Sequence, residues 1–172
     1  MLNVQIVGLA DPESFPIAPT MFTEIAVMDT VDVPEPKPPI EQLVSVLLDV
    51  TLKSTRIIQT PVGTSVSGLR LTGCKLVVEG NIDEKITYVA SEPDQPVHAV
   101  EGSVPFSTFV VIPPSVNCVP VNDLLKAFKV TPFVEDVFVD VVSPRKIFKN
   151  IILFLDVSIT NLLSQPHKPR QS

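Results

Sequence analysis

The sequence predicts an all-β protein: an antiparallel β-sandwich or strongly curved sheet, at most one short helix, and an extended N-terminal arm. Three observations carry that expectation. Stretches of period-two alternation recur along the chain. Val, Ile and Thr are abundant while Ala is sparse, which favours strand over helix. The 18 prolines in 172 residues are about twice the average share of roughly 5%, and they punctuate the alternating stretches.

Residues 1–9 alternate weakly through Leu2, Val4 and Ile6, as a short strand or a loose arm would. Residues 15–19 (FPIAP) are punctuation. Residues 22–33 alternate through Phe22, Ala26 and Met28 and predict a strand. The run PEPKPP at 34–39 is a stiff, extended linker. Three segments follow from this: an arm and linker over 1–38, a β domain over 39–160, and a polar tail over 161–172.

Within the domain, Val44, Val46, Leu48, Val50 and Leu52 share one face, with Leu47 out of place. That is the pattern of a half-buried strand. Residues 60–68 (TPVGTSVSG) read as a loop or hairpin tip. Residues 69–90 form a long strand with Leu76, Val78, Ile82, Ile86, Tyr88 and Ala90 inward. Gly80 and Glu84 break the pattern, and a bulge or bend near Gly80 is expected. Residues 91–96 (SEPDQP) form a turn by chemistry, since two prolines preset φ and Asp94 can bond the local backbone.

The strand over 97–112 returns with His98, Val100, Val104, Phe106, Thr108, Val110 and Ile112 on one face, closing an antiparallel hairpin. It carries Pro105 near its middle, which places it at a sheet edge or at a bulge. Residues 121–128 (VNDLLKAF) are the one helical candidate, capped by Asn122 or Asp123. Val137, Val139 and Val141 define a further strand. Residues 147–159 define the last, apolar on both faces over 151–155 and so central. Asp136 and Asp140 are the wet side of a sheet.

The net charge of −6 argues against nucleic acid, because phosphate binding needs clustered Lys and Arg. The basic groups Arg145, Lys146 and Lys149 read as a solvated turn. No apolar run approaches the length of a membrane span. Residues 1–10 lack a basic region and a long apolar region, and Asp11 interrupts them. A chain made in a reducing cytoplasm and not exported by the Sec route is expected.

Chemistry-bearing constellations are sparse. His167 lies in the polar tail, and His98 packs at a sheet end, bonding a backbone group or Asp94. The spacings among Cys74, His98, Cys118 and His167 do not match zinc-site pairs. Cys74 and Cys118 read as small core or rim residues, with an interchain disulfide as the minority reading. No phosphate loop is legible. The expectation is a non-enzyme without cofactor or metal.

Several of these stretches resemble one family. Residues 78–80 (VEG), 86–90 (ITYVA), the element Pro93, Asp94, Gln95, Pro96, Val97 and His98, and the element Pro105, Phe106 and Ser107 resemble the signature of the SPOCS domain. Residues 39–43, 134–137 and 145–150 fit it as well. The resemblance covers residues 39–158. It implies a structural or interaction role in the spore envelope of endospore-forming bacteria, with no catalytic residues. The implied partners are the chain itself and other spore-envelope proteins, with synthesis in the mother cell and deposition on the spore coat or outer surface. Sheet edges, or donation of the N-terminal strand to a neighbour, would make the contacts. A non-catalytic module binding peptidoglycan or another envelope glycan is the alternative, weakened by low aromatic content. A hydrolase using His98 is a distant third.

Overall fold

Two facing sheets carry the chain, as seen in a computed structural model that describes residues 4–68, 70–116 and 119–160. The strands are β1 (Gln5–Val7), β2 (Phe22–Asp32), β3 (Ile40–Thr64), β4 (Arg70–Ala90), β5 (Val97–Ile112), β6 (Ser115–Val116), β7 (Val119–Pro120), β8 (Phe128–Ser143) and β9 (Lys146–Ile159). One sheet has the order β1-β3-β4-β5 and the other β2-β9-β8, while β6 and β7 form a small separate hairpin. β2 runs beside β5 and β8 beside β3, so the sheets make an open sandwich. The long ladders are all antiparallel; the short β1 runs parallel to β3.

Alternation decides which side chains fill the space between the sheets. From β4 come Leu76, Val78, Ile82, Ile86 and Tyr88, all at 0% exposure, and from β9 come Ile147, Ile151, Leu153 and Leu155, also at 0%. Each such burial is worth about 1.5–3 kcal/mol, which is what holds the sheets together. β9 is the middle strand of its sheet, as its two-sided apolar run predicts.

The β4–β5 hairpin keeps one register from Cys74↔Ile112 to Val89↔Val97, with no shift. Its turn closes through Gln95 N–H donating to the Glu92 carbonyl (2.9 Å), with Gln95 at φ 47. The β3–β4 ladder is different and carries four register shifts. One lies between Leu43 and Ser45, so Val44 is the extra residue of a bulge. Leu43 therefore points inward and Val44 outward, the reverse of the simple alternation. Another lies between Leu52 and Ser54, opposite Gly80 and Glu79. The bulge expected near Gly80 is there, but the extra residue, Lys53, belongs to β3. The hairpin tip is also shorter than expected. β3 runs to Thr64, and the turn closes through Gly68 N–H on the Ser65 carbonyl (2.9 Å), with Gly68 at φ 84.

The N-terminal segment is built into the sandwich instead of standing apart as an arm. β2 pairs with β9 over eleven residues, from Phe22↔Asp156 to Asp32↔Lys146. Its inward Val27 and Val31 are buried against the facing sheet, where β2 runs beside β5, while the open side of β9 supplies the backbone ladder. The proline-rich linker crosses one end of both sheets. Val33 N–H donates to the Arg145 carbonyl (2.8 Å), Ile40 N–H to Pro144 (2.7 Å), and Ser91 N–H to Pro39 (2.9 Å).

The helical candidate forms a 3-10 helix over Val121–Ala127. Pro120 occupies its N-cap position, in place of the expected Asn122 or Asp123. The 3-10 turn Pro12–Ser14, capped by Asp11 accepting from Glu13 N–H (2.9 Å), leads into Phe15. That ring stacks on Phe133 at 4.9 Å and covers part of the outer face of the β2-β9-β8 sheet. Alternation could not announce it, since Phe15 belongs to no strand.

Candidate interaction site at the sheet edges

The predicted motif residues converge on β4 and β5. Gly80 faces Phe106, Asn81 faces Pro105 and Glu79 faces Ser107 across one ladder. A β-carbon at Gly80 would lie 2.7 Å from Phe106 Cζ and 2.7 Å from the Thr51 carbonyl oxygen. Gly80 thus admits the Phe106 ring and the bulged β3 backbone together. Lys53, Glu79, Asn81, Pro105 and Ser107 rim a shallow hollow there.

The turn residues Pro93, Asp94, Gln95 and Pro96 stand at the sheet end. Gln95 Nε2 donates to both carboxylate oxygens of Glu41 (2.9 Å each), tying the turn to β3. Val97 is exposed, and His98 is half-buried with its ring stacked on Tyr88 at 5.9 Å. No hydrogen bond joins His98 to Asp94 among the described residues; the ring contact takes the place of the expected bond. Tyr88 Oη donates to the Pro38 carbonyl (3.0 Å), and burial pushes its phenol pKa up. Cys74 is a free thiol buried in the core, and Cys118 lies outside the described residues, as does His167.

The basic cluster is not a solvated turn. Arg145 Nη1 donates to the carbonyls of Lys37 (2.8 Å) and Pro34 (3.2 Å), gripping the linker. Lys149 is wholly buried and pairs with Glu84 of the other sheet and with Asp29 of β2 (2.9 Å). Only Lys146 is a surface group, 3.3 Å from Asp32. Glu84 interrupts the apolar pattern because it answers Lys149 across the core. Its Oε2 has no hydrogen-bond partner among the described residues, and burial raises its pKa against the lowering pull of Lys149. Gly102 lies opposite Glu84, and a β-carbon there would sit 2.5 Å from Glu84 Oε1. A pairing between distant residues such as 84 and 149 leaves no trace in local periodicity.

The position of Pro105 follows from ladder parity. Ala90 N–H donates to the Pro96 carbonyl (2.9 Å), and the register is unbroken, so even-numbered residues of β5 turn their backbone groups toward β4. Odd-numbered residues turn theirs to the open edge. Lys37 Nζ accordingly reaches the Ala99 carbonyl from outside. The nitrogen of Pro105 faces the open side, so the proline gives up no bond to β4 and removes a donor from the edge. β8 repeats the arrangement. Thr160 N–H donates to Ala127 (2.8 Å) and Ala10 N–H to Val134 (2.9 Å) from the outside, so Pro132 also faces outward.

A family model described as SipL, SPOCS domain matches residues 39–142. No curated protein and no solved structure matches the chain. The match begins after β2 and stops before β9, so two strands of the second sheet lie beyond it. It spans more than half of the chain and takes in both faces of the Gly80–Phe106 hollow, the proline turn and the Pro105 edge: the chain belongs to the SPOCS-domain family, whose role is in sporulation.

Proposed function

We propose that the protein is a non-catalytic structural component of the spore envelope that binds other chains through its sheet edges. The observation that carries this reading is the outward-facing Pro105 on outermost β5, which trims one edge without loosening it. Beyond the proline, Ser107, Phe109 and Val111 turn backbone groups outward that have no partner among the described residues, and Phe109 and Val111 are exposed. An extended segment can add there with main-chain bonds for affinity and the exposed side chains for selectivity. The partners under this reading are other copies of the chain and other envelope proteins. Synthesis takes place in the mother cell, followed by deposition on the spore surface.

A second route uses the N-terminal strand. β2 is joined to β3 only through the linker over 34–39, and its partner β9 is 120 residues away by the Asp29–Lys149 pair. The same β2–β9 ladder formed between neighbours would donate a strand and extend into a filament or layer.

The test is retention of a tagged chain on the envelope of sporulating cells. Retention is expected for the natural sequence; it is lost with Ser107→Pro, which blocks an outward group of β5, if that edge makes the contact, and with deletion of residues 1–38 if β2 is donated to a neighbour's β9. Absence from the envelope fraction, or retention indifferent to both changes, defeats the reading.

A further inference from the structure

The four edges of the sandwich are not equally guarded. β3 is partly covered by β1 and broken by four register shifts. β8 carries Pro132, two register shifts and the Ala10 bond. β5 carries Pro105 and the Lys37 cap. β2 has none of these: no proline, no register shift, and no outside partner on its backbone among the described residues. Long, regular edges of this kind are templates for pairing.

Parity shows which groups β2 offers. Val157 N–H donates to Met21 (2.8 Å) and Val33 N–H to Arg145 (2.8 Å), so odd residues face β9. Phe22, Glu24, Ala26, Met28, Thr30 and Asp32 turn their N–H and C=O outward.

Resting on the edge-binding reading above, we infer that β2 is a homodimerisation edge, pairing antiparallel with β2 of a second copy about a two-fold axis at Val27. The register follows from three requirements. Outward-facing groups must meet outward-facing groups, which allows only even residues opposite even ones. Full overlap of Phe22–Asp32 requires Phe22 opposite Asp32. Acidic residues must not oppose each other. Centring on Val27 meets all three, with Ala26 opposite Met28 and Glu24 opposite Thr30. Moving the centre to Met28 sets Glu24 against Asp32. Asp29 stays neutralised by Lys149 and faces Ile25. The union makes one six-stranded sheet, and Met28, 67% exposed in the single chain, packs on Ala26 of the second copy.

Sedimentation velocity over a concentration series tests this. The natural chain is expected to dimerise. Ala26→Pro, which removes an outward donor and no bond to β9, is expected to be monomeric with unchanged circular dichroism. Thr30→Glu sets a carboxylate opposite Glu24 in each of the two equivalent pairs and is expected to weaken the dimer about tenfold at low salt. Adding Glu24→Lys to Thr30→Glu is expected to restore it, whereas Glu13→Lys, of equal net charge, does not. A chain that stays monomeric, a dimer untouched by Ala26→Pro or Thr30→Glu, or equal rescue by Glu13→Lys overturns the inference. If Ser107→Pro abolishes association while the β2 variants leave it intact, this inference falls and the edge-binding function stands on β5.

Discussion

The ring of Phe106 occupies the space that a side chain at Gly80 would need, one strand away in the same ladder. Gly80→Ala must displace the ring or the Thr51 carbonyl, and a cost of about 1–3 kcal/mol is expected. Phe106→Ala should cost about 3–5 kcal/mol from lost burial. The double variant should be less damaging than the sum, because one clash disappears. Chemical denaturation of the four proteins measures the coupling, and strict additivity would contradict the contact.

Lys149 and Glu84 meet with both side chains at 0% exposure, and removing one strands the other. Lys149→Met is expected to destabilise by about 3–5 kcal/mol. Combining it with Glu84→Leu should recover most of that, since an apolar pair fills the same space without desolvated charge. Urea midpoints decide; a double variant as unstable as Lys149→Met alone would refute the reading.

The same pair predicts a pH dependence. Burial raises the Glu84 pKa above its ordinary value of 4.5. The folded chain then holds a proton that the unfolded chain lacks, so acidification through this window favours folding. This group's contribution is complete below 4.5 and is lost as pH rises through the folded value. The melting temperature of the natural chain relative to Glu84→Gln should therefore rise as pH falls from neutral toward 4.5. An opposite trend would mean that Lys149 outweighs burial.

Pro105→Ala gives the β5 edge back a donor. Stability should change by less than about 1 kcal/mol, because the ladder with β4 loses nothing. Self-association followed by light scattering should increase. A large loss of stability with no gain in association would place the proline nitrogen on the wrong side of the strand.

Arg145 holds the linker by its carbonyls. Arg145→Ala is expected to lower stability by about 1.5–3 kcal/mol. Faster hydrogen exchange is expected at Lys37 N–H, which donates to Pro34 at 2.9 Å. Unchanged exchange there would remove the clamp.

Alternation and turn chemistry in the sequence already determined most of this fold: the inward face of β4, the β4–β5 hairpin and its proline turn, and the central place of β9; for Pro105 they left an edge or a bulge, and the ladder decided the edge. These are local properties, because a strand's two faces and a proline's missing donor are written within a few residues. Tertiary structure alone decided the rest. It built Phe22–Asp32 into the second sheet, buried Lys149 opposite Glu84, set Arg145 on the linker and placed Lys53 in the bulge over Gly80. Each of those depends on what lies across a sheet or a core, tens of residues away, where a charge that looks solvated in the sequence finds its counter-charge and leaves water.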